Sequence, residues 1–188
     1  MARWSRAELE SFRDQPVDDL IGPGMRLLFV GINPGLWTAA TNTHFCHPSN
    51  RFYPALREAG VIDWVVDPGS GMTGEQREDL VDKGIGITNL VNRATVRASE
   101  LGRDELEKGR RRLVDVVESH QPKVVAVAGV TAYRAAFGER GAGFGERGEA
   151  IGPAELWVVP NPSGLNAHET VGTLGEWYRK VAERAGVV

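Results

Sequence analysis

With 188 residues, a hydrophobic fraction of 41%, a charged fraction of 25% and a formal net charge of −3, the chain has the size and balance of one compact water-soluble domain, 1–188. No apolar run approaches the roughly 20 residues that span a bilayer as a helix; no secretory apolar stretch follows Met1–Arg6, and Cys46 is the only cysteine, which excludes an intrachain disulfide. The expectation is a cytoplasmic, non-membrane protein whose acidic balance excludes broad attraction to polyanions, so that any nucleic-acid contact is local.

In chain order, a first short helix is expected around Arg6–Phe12, then a buried strand over Arg26–Ile32, whose apolar run is bounded by glycine. Helices are expected near Arg51–Ala59 and Gly74–Asp82, with a Gly-rich loop over Pro68–Gly74 before the second. A second strand falls on Gly86–Val91. The clearest helix runs from Arg103 to His120, with Leu106, Leu113, Val116 and Val117 on one stripe, Asp104 and Glu105 in its first turn and Pro122 beyond its end. The basic run Arg110–Arg112 lies within it and reads as a solvated face. Strands at Lys123–Ala128 and Glu155–Val159 alternate with helices at Thr131–Phe137 and Thr173–Arg184. "GERGAGFGERG", Gly138–Gly148, reads as a mobile surface loop. Four strands separated by helix-length segments predict an α/β fold with a parallel sheet.

In such a sheet, ligands bind outside the carboxyl ends of the strands. Three polar loops arise there: Asn33-Pro34-Gly35, Asn92-Arg93-Ala94-Thr95 and Asn161-Pro162-Ser163-Gly164-Leu165-Asn166. Two of them place Asn-Pro at a strand exit, which fixes backbone shape on both sides of a cleft. Several chemistries are excluded. Gly31-x-x-Gly lacks the Gly-Lys-Ser/Thr of a phosphate-cradling loop and the third glycine of a dinucleotide site. The histidines, 44, 47, 120 and 168, lack the partners of a metal site, so no cofactor and no metal are expected, and His47 reads as a core or capping residue. Cys46 has nothing to activate it as a nucleophile. An asparagine orients water without abstracting its proton, which suits a transition state already close to dissociated, such as departure of a heterocycle from a sugar. Phe45 is placed to stack on that heterocycle.

Gly31-Ile32-Asn33-Pro34-Gly35-Leu36, His47-Pro48-x-Asn50-Arg51-Phe52, Gly86-Ile87-Thr88-Asn89-Leu90-Val91-x-Arg93-x-Thr95 and Asn161-Pro162-Ser163-Gly164-Leu165, in that order, closely resemble the mismatch-specific uracil-DNA glycosylases, relatives of thymine-DNA glycosylase. The resemblance runs from about Met25 to Ala185. It implies a three-layer α/β/α uracil-DNA glycosylase fold around a four-stranded parallel sheet. It also implies a monomeric, monofunctional base-excision enzyme that flips uracil out of mismatches with guanine in double-stranded DNA and hydrolyses its N-glycosidic bond, leaving an abasic site; ethenocytosine is a further expected substrate and thymine a lesser one.

By the same resemblance Asn33 positions the water, Phe45 stacks on the everted base, and Ile32, Thr38, Asn161 and Ser163 belong to the base pocket, with His44 and Asn89 as auxiliary candidates. Gly164, Leu165 and Asn166 form the wedge that enters the duplex and meets the opposite base, and Arg51 and Arg93 are candidates for phosphate contacts or, equally, for structural ion pairs. Faster relatives carry Asp where Asn33 stands and His where Asn161 stands, which implies slow chemistry. Two other readings of the cleft stay open: a lesion-binding protein without turnover, and a hydrolase of free nucleosides. The repair reading requires Asn33 and Leu165 to face one slot.

Overall fold

The computed structural model describes residues 4–188 and contains one sheet of five strands in the order β2-β1-β3-β5-β4. Strands β1 (Leu27–Gly31), β2 (Ile85–Asn89), β3 (Val124–Ala128) and β5 (Ala154–Val159) pair in parallel, and β4 (Gly145–Ile151) is antiparallel to β5 at the edge. The expected four-stranded sheet is therefore corrected to five. The second half of the GERG segment, expected as a mobile loop, is that edge strand. Its glycines and charges have little strand propensity of their own, and hydrogen bonds to β5 rather than burial hold it, with a register irregularity between Glu146 and Ala150.

Among the described residues, seven α-helices accompany the sheet: α1 (Arg6–Glu10), α2 (Leu36–Thr41), α3 (Phe52–Glu58), α4 (Gly74–Asp82), α5 (Arg103–His120), α6 (Val130–Phe137) and α7 (Val171–Ala185). Both faces of β1 are buried, as its uninterrupted apolar run requires. Leu27 and Phe29 pack with Phe52, Leu56 and Tyr178 of α3 and α7. Leu28 and Val30 pack with Leu113 and Val117 of α5 and Tyr133 of α6. Helix α5 presses so closely on the β2 exit that a Cβ at Gly109 would collide with the carbonyl of Leu90. Helix α2 is absent from the sequence reading. It has six residues and begins at Gly35 without a side-chain cap, leaving little local signal.

The basic run also differs from expectation. Arg112 is not merely solvated: it pairs with Asp19 and donates to Thr88 Oγ1 (3.2 Å) and to the main-chain oxygen of Asn89 (3.1 Å). Arg110 lies over the Phe137 ring, 5.1 Å from its centroid. Arg112 thereby ties α5 to the end of β2, beside the cleft.

Candidate active site

Asn33 follows β1, and its amide is held by the loop that follows β2. Nδ2 donates to the carbonyl of Arg93 (2.9 Å) and to Thr95 Oγ1 (2.7 Å), with the carbonyl of Pro34 at 3.0 Å. Thr95 Oγ1 in turn donates to the carbonyl of Arg97 (2.9 Å), and the two loops pair directly through Thr95 N and the carbonyl of Pro34. With the donors of the amide committed, Oδ1 of Asn33 accepts nothing from the described residues and stands free to orient a water. Arg93 closes this arrangement from behind through Glu105 (2.9 and 3.1 Å) and Asp14 (2.7 Å), contacts that hold its guanidinium firmly protonated. Arg93 is thus an ion-pair partner rather than a free phosphate ligand.

A second wall is built from β2 and the loop after α2. Parallel register sets Gly31 beside Asn89, so the two positions share a face, and the missing side chain at 31 leaves room above the strand. A Cβ there would collide with Asn89 Oδ1 and stand 3.2 Å from Phe45 Cζ. Asn89 is 5% exposed, and its Nδ2 lies 3.0 Å from His44 Nδ1. His44, an auxiliary candidate from the sequence, is 1% exposed, its Nε2 3.0 Å from the carbonyl of Asp18. Its acid–base equilibrium is shifted below the ordinary histidine value, chiefly because burial penalises the charged ring.

Phe45 occupies a left-handed backbone conformation, φ +55°, which costs an aromatic residue about 1–3 kcal/mol. Two contacts hold it there. The Phe45 ring stacks on Phe52 at 4.1 Å and 20°, and the buried Tyr53 hydroxyl donates to the carbonyl of His44 (2.8 Å). One face of Phe45 is thereby backed by protein, as a stacking platform needs.

The loop after β5 forms the third side. Asn161 Oδ1 accepts from Ser163 N (2.9 Å), leaving Nδ2 without a partner among the described residues. That Nδ2 and Ile32 Cδ1 both approach Gly129 at the end of β3, within 3.6 Å and 3.5 Å of where its Cβ would stand. Ser163 closes the turn: its Oγ accepts from Leu165 N (3.3 Å) and its carbonyl from Asn166 N (2.9 Å). Asn166 is likewise turned inward, donating to the carbonyl of Asn161 (3.0 Å), so its side chain is committed to closing the loop rather than to an opposite base. Arg51, the other expected phosphate ligand, donates to the carbonyls of Ser163 (2.6 Å), Asn166 (2.7 Å) and Glu169. It clamps the loop from within.

The loop is also pressed against the turn before α3, where a Cβ at Gly164 would collide with Ser49. Ser49 caps on His47, its N 3.1 Å and its Oγ 2.9 Å from Nδ1, and the His47 ring meets Trp37 edge-on at 6.0 Å. At the tip, Leu165 is 92% exposed. Thr38 lies buried on α2. The Cys46 thiol is buried and pushed up by that burial, the reverse of an activated nucleophile. Among the described residues, no three His, Cys, Asp or Glu are placed to hold a metal ion.

A free amide oxygen just past the end of β1, an aromatic ring beside Gly31 and an apolar tip at the exit of β5 all lie on the carboxyl edge of one sheet. The family model for the uracil DNA glycosylase superfamily matches residues 19–185, and the chain belongs to that superfamily, whose members are DNA glycosylases that hydrolyse the N-glycosidic bond. Among solved structures, the fold is similar to the solution NMR structure of a protein from Methanosarcina acetivorans provisionally designated a uracil DNA glycosylase. The TM-score is 0.57 at 16% identity, over 89% of this chain and 98% of that one. The groups that sequence reasoning did not single out, Thr95, Tyr53 and Glu105, act through hydrogen bonds across distant segments. Only the Arg93-x-Thr95 spacing beside the strand exit hinted at them.

Proposed function

We propose that the protein removes uracil from mismatches with guanine in duplex DNA, with ethenocytosine a further substrate and thymine a poorer one, working as a monomer. The observation that carries the reading is the unpartnered Oδ1 of Asn33 on the same sheet edge as exposed Leu165, two residues beyond Gly31, whose missing side chain leaves room beside Phe45 and Asn89. The nucleotide must leave the stack to be reached, at a few kcal/mol, and a weakly paired G·U costs least to open. Leu165 enters the vacated space. The everted uracil stacks on Phe45, and its N3–H donates to Asn89 Oδ1.

The C1′–N1 bond then breaks with its electron pair passing to uracil, whose developing anion Asn161 Nδ2 and main-chain amides stabilise. Water held by Asn33 adds its oxygen to C1′, and its proton passes to solvent or to the departing anion. Since Asn33 is no base, the chemistry is slow. With Arg51 and Arg93 occupied, backbone phosphates fall to Arg6 and Arg97, which make no ion pair among the described residues and line a groove of about 800 Å³ next to Thr95.

The test is incubation with labelled duplexes holding one G·U, A·U or G·T pair, followed by alkali. Scission at G·U is expected, and Asn33→Ala abolishes most of it while binding persists. A mobility shift without scission makes the protein a lesion binder. Cleavage of free uridine alone makes it a nucleosidase.

A further inference from the structure

Both ring nitrogens of His44 have partners, and the partners determine its protonation. Nε2 faces the carbonyl of Asp18 at 3.0 Å. A carbonyl only accepts, so Nε2 carries a hydrogen. The ring is 1% exposed and its burial disfavours a second proton, so Nδ1 keeps its lone pair and tolerates only a donor. Asn89, 3.0 Å away, must therefore turn its NH2 toward His44 and its Oδ1 away, into the space above Gly31. There Oδ1 accepts no hydrogen bond from the described residues. We propose that His44 is a positioning residue that fixes the direction of the Asn89 amide and thereby makes the pocket prefer bases with an N3–H, as in uracil, over bases with a bare N3, as in cytosine.

The inference rests on the glycosylase reading above and adds to it a source of selectivity. The two ends of a carboxamide are nearly equal in size, so packing alone does not choose between them. Backbone freedom is also absent: β2 register holds Asn89 beside Gly31, and Arg112 holds its carbonyl. What remains is a half-turn about the last side-chain bond, and Nδ1 of His44 selects one outcome. With Oδ1 toward the base, uracil N3–H finds an acceptor, whereas cytosine N3 meets a second lone pair. The charged groups around the ring are the Asp19 carboxylate, which favours the charged ring, and the Arg77 and Arg112 guanidiniums, which favour the neutral one; burial outweighs each of them and acts against the charge.

Affinity is measured for duplexes carrying non-hydrolysable 2′-fluoroarabino-uridine or 2′-fluoroarabino-cytidine opposite guanine, using wild type, His44→Phe and Asn89→Ala. Wild type is expected to prefer uracil, and His44→Phe to lower that preference about tenfold or more, with the double variant no lower than Asn89→Ala. Equal weakening toward both bases overturns the proposal. Should His44→Phe fail to fold, ¹⁵N NMR of the wild-type ring decides: a bare Nδ1 and a protonated Nε2 at neutral pH support the lock, and a protonated Nδ1 overturns it. Base preference without any scission at G·U would sink the glycosylase reading and leave the lock standing. Scission with an unchanged preference would do the opposite.

Discussion

Asn33 and Thr95 are joined by a 2.7 Å hydrogen bond in which the amide donates and the hydroxyl accepts, the hydroxyl passing its own proton to the carbonyl of Arg97. This chain has one direction. Reversing the Asn33 amide would set its oxygen against two carbonyls and leave its NH2 toward the cleft, so Thr95 and Arg93 together keep the acceptor where the proposed mechanism holds its water. Thr95→Val keeps the shape and removes the hydroxyl. The expected outcome is a single-turnover rate about tenfold lower with unchanged affinity for G·U duplex, a smaller loss than that of Asn33→Ala, and recovery in Thr95→Ser. A rate equal to wild type in Thr95→Val would show that the carbonyl of Arg93 suffices.

The arginines divide by what they touch. Arg51 donates to three carbonyls of the loop between β5 and α7, and Arg93 is saturated by Glu105 and Asp14. Loss of either guanidinium acts on stability and loop order: Arg51→Met strands acceptors in a half-buried place and costs about 2–3 kcal/mol, read as a lower denaturation midpoint. Neither substitution changes the number of counterions released, so the slope of log affinity against log salt stays as in wild type. Arg97→Ala leaves stability alone and reduces that slope by about one. Slopes that fall for Arg51 or Arg93 and not for Arg97 would reverse the assignment.

Much of this was legible in the chain. The unbroken apolar run at β1 requires burial on both faces, and the parallel sheet, α5 and the strand-exit loops follow from period and spacing. What escaped was held by partners rather than by local signal. Strand β4 exists because β5 offers it hydrogen bonds, and α2 because tertiary contacts carry six residues without a side-chain cap. Burial of His44 was equally invisible, since it arises from the Asp18 carbonyl and Asn89, 26 and 45 positions away. Arginine roles were readable only as alternatives, because a guanidinium suits a carboxylate or a phosphate and only the fold decides which it meets.

Mild acid should destabilise the fold through His44 and His47. Burial holds His44 below its ordinary value of 6.5, and His47 is shifted the same way by the same cause. Below that value the unfolded chain takes up protons that the folded chain refuses, so unfolding binds protons and stability falls as the pH drops. Urea midpoints at about pH 7.5 and about pH 5.5 are expected to decrease on acidification, and to decrease less in His44→Phe. A midpoint that rises on acidification would mean that the buried ring is charged.

Leu165 gives the sharpest separation of stability from function. At 92% exposure it contributes almost nothing to the folded state, so Leu165→Ala should leave the denaturation midpoint within about 0.5 kcal/mol of wild type. An exposed leucine held at a loop tip by Arg51 and by close packing on Ser49 is, however, positioned to lose its water only when something closes over it. Filling the gap left by an everted nucleotide buries the side chain, worth about 1.5–3 kcal/mol. Excision from a G·U duplex is therefore expected to fall about 10- to 100-fold in Leu165→Ala. Excision from single-stranded DNA, where no stack has to be held open, should change little. Equal losses on both substrates would place Leu165 in general affinity for the strand, and no loss on either would remove the wedge from the mechanism.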